Sequence, residues 1–490
     1  MDDGTPTVPI LPGFHPDPSV CRVGDDVYVV TSSFEYLPGL PVHRSTDLRT
    51  WTPVGHGIER PSQMARASTG GGIFAPTLRH HDGLFWIATT DVDRIEDGQL
   101  VIHAQDPAGP WSEPVFCAGT VGIDPDLAWD DDGRCLLSWA RFGEPAGIWQ
   151  AAVDLCTGEL QEEPRHLWAG TGLAATEGPH LHRRGPWWYL LVAEGGTERG
   201  HLVQVARSSS PTGPFAPDPA GPLLTHRSTT HPVQNTGHAD LLELADGTWV
   251  MTYLGVRPHG VTPGFHVNGR ETFLTGVAWE DAWPRLRTLG LPAAAPVAAV
   301  DDDFSAPALH HRWISPGRWA ATFARTSPEE GLALAATGRA MLGLRAKDAS
   351  WDLEVELTQG EAALVVRLDD DHVLRVRASG DQVATELGLA GLRHEVARVD
   401  RPDGPLVLTV SARVDSASMI SRSGPDRLVA SVRPLDGPVL GLGEIDGRYL
   451  STEVAGGFTG RVVGVEIDGG TATVRRVRYS PVGDPTAARP

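Results

Sequence analysis

Cysteine is scarce in this sequence, and no long apolar run is present. The four cysteines, Cys21, Cys117, Cys135 and Cys156, show no CxxC spacing, and the last third of the chain has none. Without closely spaced pairs there is no sign of a zinc or redox motif. We therefore expect isolated, buried thiols in a reducing cytosol.

Basic residues are also few, since 41 Lys and Arg face 62 Asp and Glu, for a formal net charge of −21. Nucleic acids and anionic membranes are poor partners for such a chain, because phosphate binding needs clustered Lys and Arg. Residues 1–12 lack a basic segment followed by an apolar one, so we predict neither a signal peptide nor a membrane span. A cytoplasmic location follows as an expectation, although a chain trimmed of its leader would look the same.

Helical periodicity is missing as well, whereas turn-forming residues are abundant, with 56 Gly and 40 Pro in 490 residues. A unit of a polar residue, an aliphatic, a turn and an apolar strand occurs five times, roughly 50 to 60 residues apart, which is the length of a four-stranded propeller blade. The copies are HPDPSVCRVGDDVYVVTS, FAPTLRHHDGLFWIATT, IDPDLAWDDDGRCLLSW, TEGPHLHRRGPWWYLLVA and TGHADLLELADGTWVMTY. Each copy alone is ordinary hairpin chemistry, but five in order predict a five-bladed β-propeller.

Chemically active residues occupy nearly the same place in each copy. When the copies are aligned on their aliphatic residue, the position three places earlier holds Asp17, Ala75, Asp124, Gly178 and His238, and Glu177 precedes Gly178. A closed ring would bring Asp17, Asp124, Glu177 and His238 to one central spot.

The amino-acid composition changes near residue 290, where an Ala/Pro stretch precedes an acidic run. We predict a propeller domain over residues 1–290, a linker over 291–300 and a second domain over 301–490. Segments such as WDLEVELTQG and GPLVLTVSARV alternate with period two, which predicts that the second domain is an antiparallel β-sandwich.

Clustered carboxylates favour glycoside hydrolysis. Carboxylates in one pocket raise each other's pKa, so one can stay protonated as an acid while another acts as base or nucleophile. A Ca²⁺ or Mg²⁺ site is the competing interpretation, but no DxDxDG loop supports it, and residues 130–133 are expected to form an exposed hairpin turn. No metal ligand set is predicted.

A family resemblance follows from seven ordered motifs: GFHPDPS, SSFEYLPGLPVHRSTDLRTW, GGIFAPTLRHHDG, GIDPDLAWDDDG, TEGPHL, NTGHADL and GRETFL. Together they resemble the family-43 glycoside hydrolases, especially the β-xylosidase and α-L-arabinofuranosidase type with a C-terminal sandwich. DDDFSAPALHHRW and LSTEVAGGFTG extend the resemblance, more sparsely, into the second domain. The second domain is therefore expected to be a concanavalin-like sandwich.

This resemblance implies an inverting mechanism that needs no cofactor. Asp17 would be the general base that activates water, Glu177 the general acid, and Asp124 the residue that tunes and orients the acid. Inversion requires roughly 6.5 to 9.5 Å between acid and base, which separate blades can provide. A structural Ca²⁺ ion in the propeller channel is the one metal that the resemblance leaves open.

Other sugar contacts carry over from the same resemblance. Arg270 would bind the sugar in the −1 pocket, unless it only pairs with an acidic side chain. His238 would lie near the sugar or a structural ion, although a lone histidine is often a core residue. Phe34 would form an apolar wall, and Phe458 would be an aromatic that a sandwich loop inserts into the pocket, where the alternatives are a core position and a loop anchor.

Two positions depart from the family pattern. Phe74 stands where many relatives have Trp, and Ile123 stands where xylosidases often have Phe, so aromatic surface is lost from the sugar pocket. We predict an exo-acting enzyme that releases terminal β-D-xylose from xylo-oligosaccharides, with α-L-arabinofuranosidase activity as a second or main activity. A non-catalytic sugar-binding propeller is the alternative from another class. Self-association is known among relatives, but no surface in the sequence identifies an interface.

Overall fold

The computed structural model describes residues 4–260, 263–290, 298–414 and 424–483. Its backbone contacts divide the chain into two compact units. The first comprises residues 1–11, 15–256 and 271–295, and the second comprises residues 12–14, 257–270 and 296–490. Most of the predicted linker, residues 291–297, lies outside the described residues. Among the helices described, none is long and apolar enough to cross a membrane.

The first unit consists of five antiparallel four-stranded sheets, and in each sheet the first strand along the chain lies at one edge. Blade one contains β1 (Ser19–Val23), β2 (Asp26–Val30), β4 (Gly39–Ser45) and β5 (Thr52–Ile58), with the short β3 (Tyr36–Leu37) between β2 and β4. Blade two contains β6 (Thr77–His81), β7 (Leu84–Thr89), β8 (Gln99–Ala104) and β9 (Val115–Cys117), with a 3₁₀ turn at Val92–Asp97. Blade three contains β10 (Ile123–Trp129), β11 (Cys135–Arg141), β12 (Gly147–Val153) and β13 (Arg165–Trp168). Blade four contains β14 (Glu177–Arg184), β15 (Trp187–Glu194), β16 (Leu202–Ser208) and β17 (Ala216–Pro217). Blade five contains β18 (Gln234–Glu243), β19 (Trp249–Val256), β20 (Glu271–Glu280) and β21 (Trp283–Arg287).

The five sheets close into a ring, because the first strand of each blade contacts the first strand of the next and β18 contacts β1. This confirms the predicted five-bladed β-propeller. Apolar side chains pack between neighbouring blades: Trp86 and Leu127 join blades two and three, and Leu190 lies with Ile148 between blades three and four. The apolar surface is therefore buried between the sheets, and polar side chains can occupy the central axis of the propeller.

The repeated turn between the first two strands explains the local sequence of each blade. The turn glycines Gly24, Gly83, Gly133, Gly185 and Gly247 all have positive φ, between 57° and 81°. Glycine adopts this backbone without a Cβ penalty, so the five copies of the hairpin signal have one physical cause. The Asp130–Gly133 run is such an exposed turn, as expected, and the amides of Asp132 and Arg134 donate to the Asp130 carboxylate.

The second unit is an antiparallel β-sandwich, as predicted. Its strands are β22 (Val300–Asp302), β23 (Ser315–Pro316), β24 (Ala324–Ser327), β25 (Gly331–Arg345), β26 (Trp351–Gly360), β27 (Ala362–Arg367), β28 (Val373–Ser379), β29 (Gln382–Leu389), β30 (Leu392–Asp400), β31 (Leu406–Arg413), β32 (Arg427–Pro434), β33 (Leu440–Asp446) and β34 (Val462–Pro481). Short helical turns occupy Ala320–Thr322, Gly447–Leu450 and Thr452–Ala455. The edge strands β30 and β33 contact each other, so the sheet nearly closes into a barrel around one apolar core.

The cysteines are free thiols, but they are not all buried. Cys21, Cys117 and Cys135 are buried, and burial raises the pKa of Cys21 and Cys117 to about 12. Cys156 is exposed, which corrects the expectation of four buried thiols. It follows Asp154 in the turn after β12, and its amide donates to the Asp154 carboxylate, so a polar turn rather than a strand decides its exposure.

Candidate active site

Four of the five aligned repeat positions share an unusual backbone. Asp17, Asp124, Gly178 and His238 all have left-handed φ, between 47° and 59°. The strand register shifts at the last three of them, as in a β-bulge. A left-handed non-glycine residue costs on the order of 1–3 kcal/mol, so strain is concentrated where the side chains enter the channel. We call the repeat positions Asp17, Ala75, Asp124, Gly178 and His238 the outer ring.

Asp17 is fixed by two side chains of the same unit. Ser32 Oγ donates a hydrogen bond of 2.6 Å to Asp17 Oδ2, and His238 Nδ1 lies 3.6 Å from Asp17 Oδ1. Asp17 is buried, with 5 % of its surface exposed. Its carboxylate therefore has a fixed direction, as a general base requires.

Asp124 reaches the strand that carries the candidate acid. Its Oδ2 accepts a 3.0 Å hydrogen bond from the amide of Gly178, the residue after Glu177. A Cβ on Gly178 would lie 3.0 Å from the His238 ring, and the φ of Gly178 is +59°, so both the close contact and the left-handed backbone favour glycine here. The blade-four carboxylate consequently stands one residue earlier, at Glu177.

The loop before Glu177 is held by a buried carboxylate that the sequence analysis missed. Glu194, at the end of β15, is fully buried and accepts hydrogen bonds from the Thr171 amide at 2.8 Å and from Thr176 Oγ1 at 3.0 Å. Thr171 Oγ1 also donates to Glu194. A glutamate at a strand end carries no signal in the sequence that distinguishes it.

The predicted apolar contacts of the first unit lie at the same end of the blades. Phe34 is 2 % exposed, and its ring centroid is 5.1 Å from that of Phe74 in an edge-on pair. Ile123 directly precedes Asp124 and is partly buried between blades three and four. The outer-ring residues of blades two to five line one crevice that is too narrow to hold a water molecule, and its lining includes Ala75, Asp124, Gly178 and His238.

A second ring of polar residues lies deeper, at the position directly before the aligned aliphatic residue. We call Ser19, Thr77, Asp126, His180 and Asp240 the inner ring; each is at most 2 % exposed. Members from neighbouring blades contact one another: Ser19 Oγ donates to Asp240 at 2.7 Å, and His180 Nδ1 lies 3.3 Å from Asp126 Oδ1.

Arg79 is the charge that balances the inner ring. Its guanidinium lies 2.6 Å from Asp126 and 2.9 Å from Asp240, and His182 Nε2 lies 2.8 Å from Asp240. Burial alone would raise the pKa of Asp240, but Arg79, His180 and His182 hold it well below its ordinary value. Asp126, Asp240 and Arg79 therefore form a paired ionic network inside the propeller.

A cation site was the alternative use for clustered carboxylates. Within the described ranges, no group of three or more His, Cys, Asp or Glu has an arrangement that could hold a metal ion. In the inner ring the Arg79 guanidinium already lies between Asp126 and Asp240. The structural Ca²⁺ ion stays a prediction without a ligand set among these residues.

Arg270 and Phe458 both belong to the second unit. The Arg270 guanidinium carbon is 5.4 Å from the centroid of the Phe458 ring, and Arg270 Nη2 lies 3.5 Å from the Phe458 carbonyl oxygen. Arg270 is 7 % exposed and Phe458 is 39 % exposed. The two predicted sugar contacts thus form a cation–π pair with each other, and their role toward a sugar stays a prediction.

Comparison with known proteins decides the family. Residues 6–284 match the sequence profile of glycosyl hydrolases family 43. The chain belongs to this family. It is a family-43 glycoside hydrolase of the xylosidase and arabinosidase type with an additional C-terminal domain.

The relatives of this family-43 chain carry two kinds of name. It is 34% identical over 501 residues to a non-reducing end alpha-L-arabinofuranosidase of Bacteroides ovatus, covering 94% of this chain and 91% of that one. It is 32% identical to a xylosidase/arabinosidase of Butyrivibrio fibrisolvens, covering 93% and 94%. The crystal structure of a xylan beta-1,4-xylosidase from Bacillus halodurans superposes with a TM-score of 0.86 at 29% identity, covering 96% and 99%.

Proposed function

We propose that this family-43 hydrolase is an exo-acting, inverting enzyme that releases terminal β-D-xylose from short xylo-oligosaccharides and also accepts α-L-arabinofuranosides. The observation that carries the proposal is the outer ring. Asp17 and Asp124 stand on left-handed backbone at equivalent places of different blades, and Glu177 directly precedes the left-handed Gly178 of a third.

Each carboxylate has a role in the proposed mechanism. Asp17, oriented by Ser32 and His238, takes a proton from the attacking water. Glu177 gives its proton to the leaving oxygen on the opposite face of the sugar. Asp124, which accepts a hydrogen bond from the Gly178 amide, orients the acid and tunes its pKa. The water attacks as the bond to the leaving group breaks, so the product has the opposite anomeric configuration.

Xylose and arabinofuranose are both candidates for the preferred sugar, since the names of similar proteins support each of them. The name of the Bacillus halodurans structure favours xylose, and that of the Bacteroides ovatus relative favours arabinofuranose. Phe74 and Ile123 supply a smaller aromatic surface than Trp and Phe would, which weakens stacking against a six-membered ring. We retain the bifunctional form, with arabinofuranosidase as the alternative main activity.

A paired assay tests the proposal. The protein is incubated with an aryl β-D-xyloside and an aryl α-L-arabinofuranoside, and the ratio of the two kcat/KM values gives the preference. Proton NMR of the first product anomer distinguishes inversion from retention, and retention would reject Asp17 as a water-activating base. Activity on neither substrate, together with binding of xylo-oligosaccharides, would favour the non-catalytic sugar-binding propeller. A cytoplasmic location and self-association stay predictions.

A further inference from the structure

A cavity of ≈ 200 Å³ opens on one face of the sheet in the second unit. It lies where the strands β34, β26, β31 and β32 run side by side. Within β26 the buried Leu353, Val355 and Leu357 alternate with Glu354 and Glu356, so the two glutamates point away from the apolar core. The cavity therefore belongs to the solvent-facing side of the sheet and is not a packing defect of the core.

Strand register sets four side chains in one row across this cavity. Glu356 pairs with Arg476 on one side and with Val407 on the other, and Val407 pairs in turn with Arg433. Val407 is 3% exposed, and it is the short apolar member of the row. A short side chain between longer ones leaves a hollow on the face of a sheet, and Val407 forms its floor.

Both arginines of this row turn toward the neighbouring row. Arg433 Nη2 lies 3.8 Å from Glu354, and Arg476 Nε lies 2.9 Å from Asp301. The Nε atom of Arg476 is nevertheless buried without an aligned hydrogen bond to a described residue. Glu356, directly opposite Arg476, makes no hydrogen bond or ion pair within the part of the chain that the structure describes. An acceptor and a donor thus lie side by side at the cavity without satisfying each other.

Leu435 adds apolar surface at the edge of the cavity. It is 42% exposed, although its backbone is fixed twice. Its amide donates to the Pro405 carbonyl at 3.2 Å, and its own carbonyl oxygen accepts a 2.6 Å hydrogen bond from Arg433 Nη1. An apolar side chain that a fixed loop holds in water loses little conformational entropy when a ligand covers it.

The charges around the cavity favour a neutral ligand. The lining carries three guanidinium groups and three carboxylates, namely those of Arg433, Arg476, Arg478, Glu354, Glu356 and Asp436. An anion would be repelled by the carboxylates, and a cation by the guanidinium groups. A hydroxyl group, in contrast, can donate to a carboxylate and accept from a guanidinium at the same time.

The size of the cavity agrees with a small ligand. Pockets for drug-sized molecules have volumes of roughly 300–1,000 Å³, so this smaller cavity suits a single ring. A compact ring that carries several hydroxyl groups and also has apolar C–H groups is a saccharide unit.

We propose that this cavity, which we call the sheet pocket, is a non-catalytic saccharide site that holds one neutral sugar ring. Glu356 and Arg476 bind the hydroxyl groups, and Val407 and Leu435 cover the C–H groups. Because the ligand is small and the pocket is open, we expect a dissociation constant on the order of 10 mM. The inference does not rest on the proposed function, since binding in the sheet pocket needs no turnover.

The probe is D-xylose, a neutral ring without a glycosidic bond to cleave. Amide hydrogen exchange of the full chain is followed by mass spectrometry with and without the sugar. At about 100 mM D-xylose, roughly ten times the expected dissociation constant, exchange in peptides that span residues 431–440 should slow roughly 10-fold, because local opening there disrupts the pocket. Sodium D-glucuronate at the same concentration and ionic strength should protect these peptides less, because its carboxylate is anionic.

Two variants target the sheet pocket. Glu356→Gln removes the charged acceptor and should reduce the protection, whereas Val407→Phe fills the cavity and should abolish it. Glu386→Gln is the matched control, because Glu386 is a strand glutamate of the same unit, is 46% exposed and does not line the pocket. Its protection by D-xylose should equal that of the wild type. Thermal unfolding verifies that each variant is folded.

Two results would overturn the sheet pocket as a saccharide site: no protection of the wild type, or full protection that survives in both Glu356→Gln and Val407→Phe. Stronger protection by D-glucuronate than by D-xylose would overturn the neutral ligand. A wild type that cleaves neither aryl glycoside would reject the proposed function and leave this measurement unaffected, so the two failures are distinguishable.

Discussion

The outer and inner rings of the propeller channel differ in how their side chains are satisfied. In the outer ring, Asp17, Asp124 and His238 stand on left-handed backbone. In the inner ring, Arg79 pairs with both Asp126 and Asp240 on regular strands. The same repeat thus supplies strained positions for the proposed chemistry and, two residues later, charges that are paired with each other. Such strain persists only where the surrounding structure fixes it, and the inner ring is part of that structure.

The largest expected effect concerns the outer ring. Asp17→Asn should lower kcat about 10³-fold or more, because general base catalysis contributes typically 10²–10⁴ and the amide cannot accept the proton. Asn tolerates left-handed backbone, so the free energy of unfolding should change by less than about 1 kcal/mol. Steady-state kinetics with urea unfolding measures both. Substantial residual activity would remove Asp17 from the mechanism.

Glu177→Gln should separate substrates by leaving group. We expect a loss of about 10²–10⁴-fold in kcat for xylobiose or an alkyl arabinofuranoside and a smaller loss for an aryl glycoside, since a good leaving group needs less protonation. Rates are measured on both substrates of the same glycone. A uniform loss on both would contradict the role of general acid.

A substitution in the inner ring should lower the free energy of unfolding, whereas those in the outer ring lower kcat. Arg79→Met leaves Asp126 and Asp240 buried without their cation, which should lower the free energy of unfolding by about 3–5 kcal/mol. Arg22→Met is the control, because Arg22 bonds Glu243 and Gly24 at the exposed surface and should cost less than about 1 kcal/mol. Urea unfolding of both variants gives the comparison. Equal stability of the two would show that the network contributes nothing.

Asp91 is a buried carboxyl whose pKa is raised, in contrast to that of Asp240 in the inner ring. Burial raises the pKa of Asp91 to about 6, against an ordinary value of 3.8. The folded state therefore binds this proton more tightly, so its stabilising effect is complete below pH 4 and is lost as the pH rises to 6.

Asp91→Asn removes that dependence. Since one pKa unit corresponds to about 1.4 kcal/mol, the variant should be more stable than wild type by about 1–3 kcal/mol at pH 8 and equal to it near pH 4. Asn keeps an oxygen that can accept the bond from the Asp93 amide. Thermal unfolding at the two pH values measures the difference, and a gain that does not depend on pH would refute the assignment.

The smallest expected effect concerns the support of the base. Ser32→Ala removes the 2.6 Å hydrogen bond to Asp17, which should raise the pKa of the base and shift the acid limb of the kcat/KM profile to higher pH. The rate at the optimum should fall by about 10-fold or less, or about 1 kcal/mol. A lower rate with an unchanged pH profile would indicate a merely structural role.

The outer ring was predictable because a repeat with one period marks equivalent places in a closed ring. The inner ring was missed, although the residue before each aligned aliphatic is polar in all five copies. That signal is weak for one copy, because Ser19 or Thr77 is an ordinary strand residue.

Other features depend on contacts that the sequence does not encode locally. Glu194 acts on a loop that lies about twenty positions earlier, so its role becomes visible only when β14 and β15 pair. Arg270 directly precedes a blade-five strand, yet it packs with Phe458 in the second unit. The choice between xylose and arabinofuranose depends on small differences in apolar contact, which motifs do not resolve.

The left-handed backbone at Asp17 and Asp124 also restricts how this protein can change over generations. Asparagine, aspartate and glycine adopt that backbone at low cost, whereas a β-branched residue there harms the fold itself. Aspartate and asparagine codons differ at one base. Under the proposed mechanism, a descendant could therefore lose hydrolysis through changes at these two sites while keeping its channel, so a sugar-binding protein lies a few nucleotide changes away from this sequence.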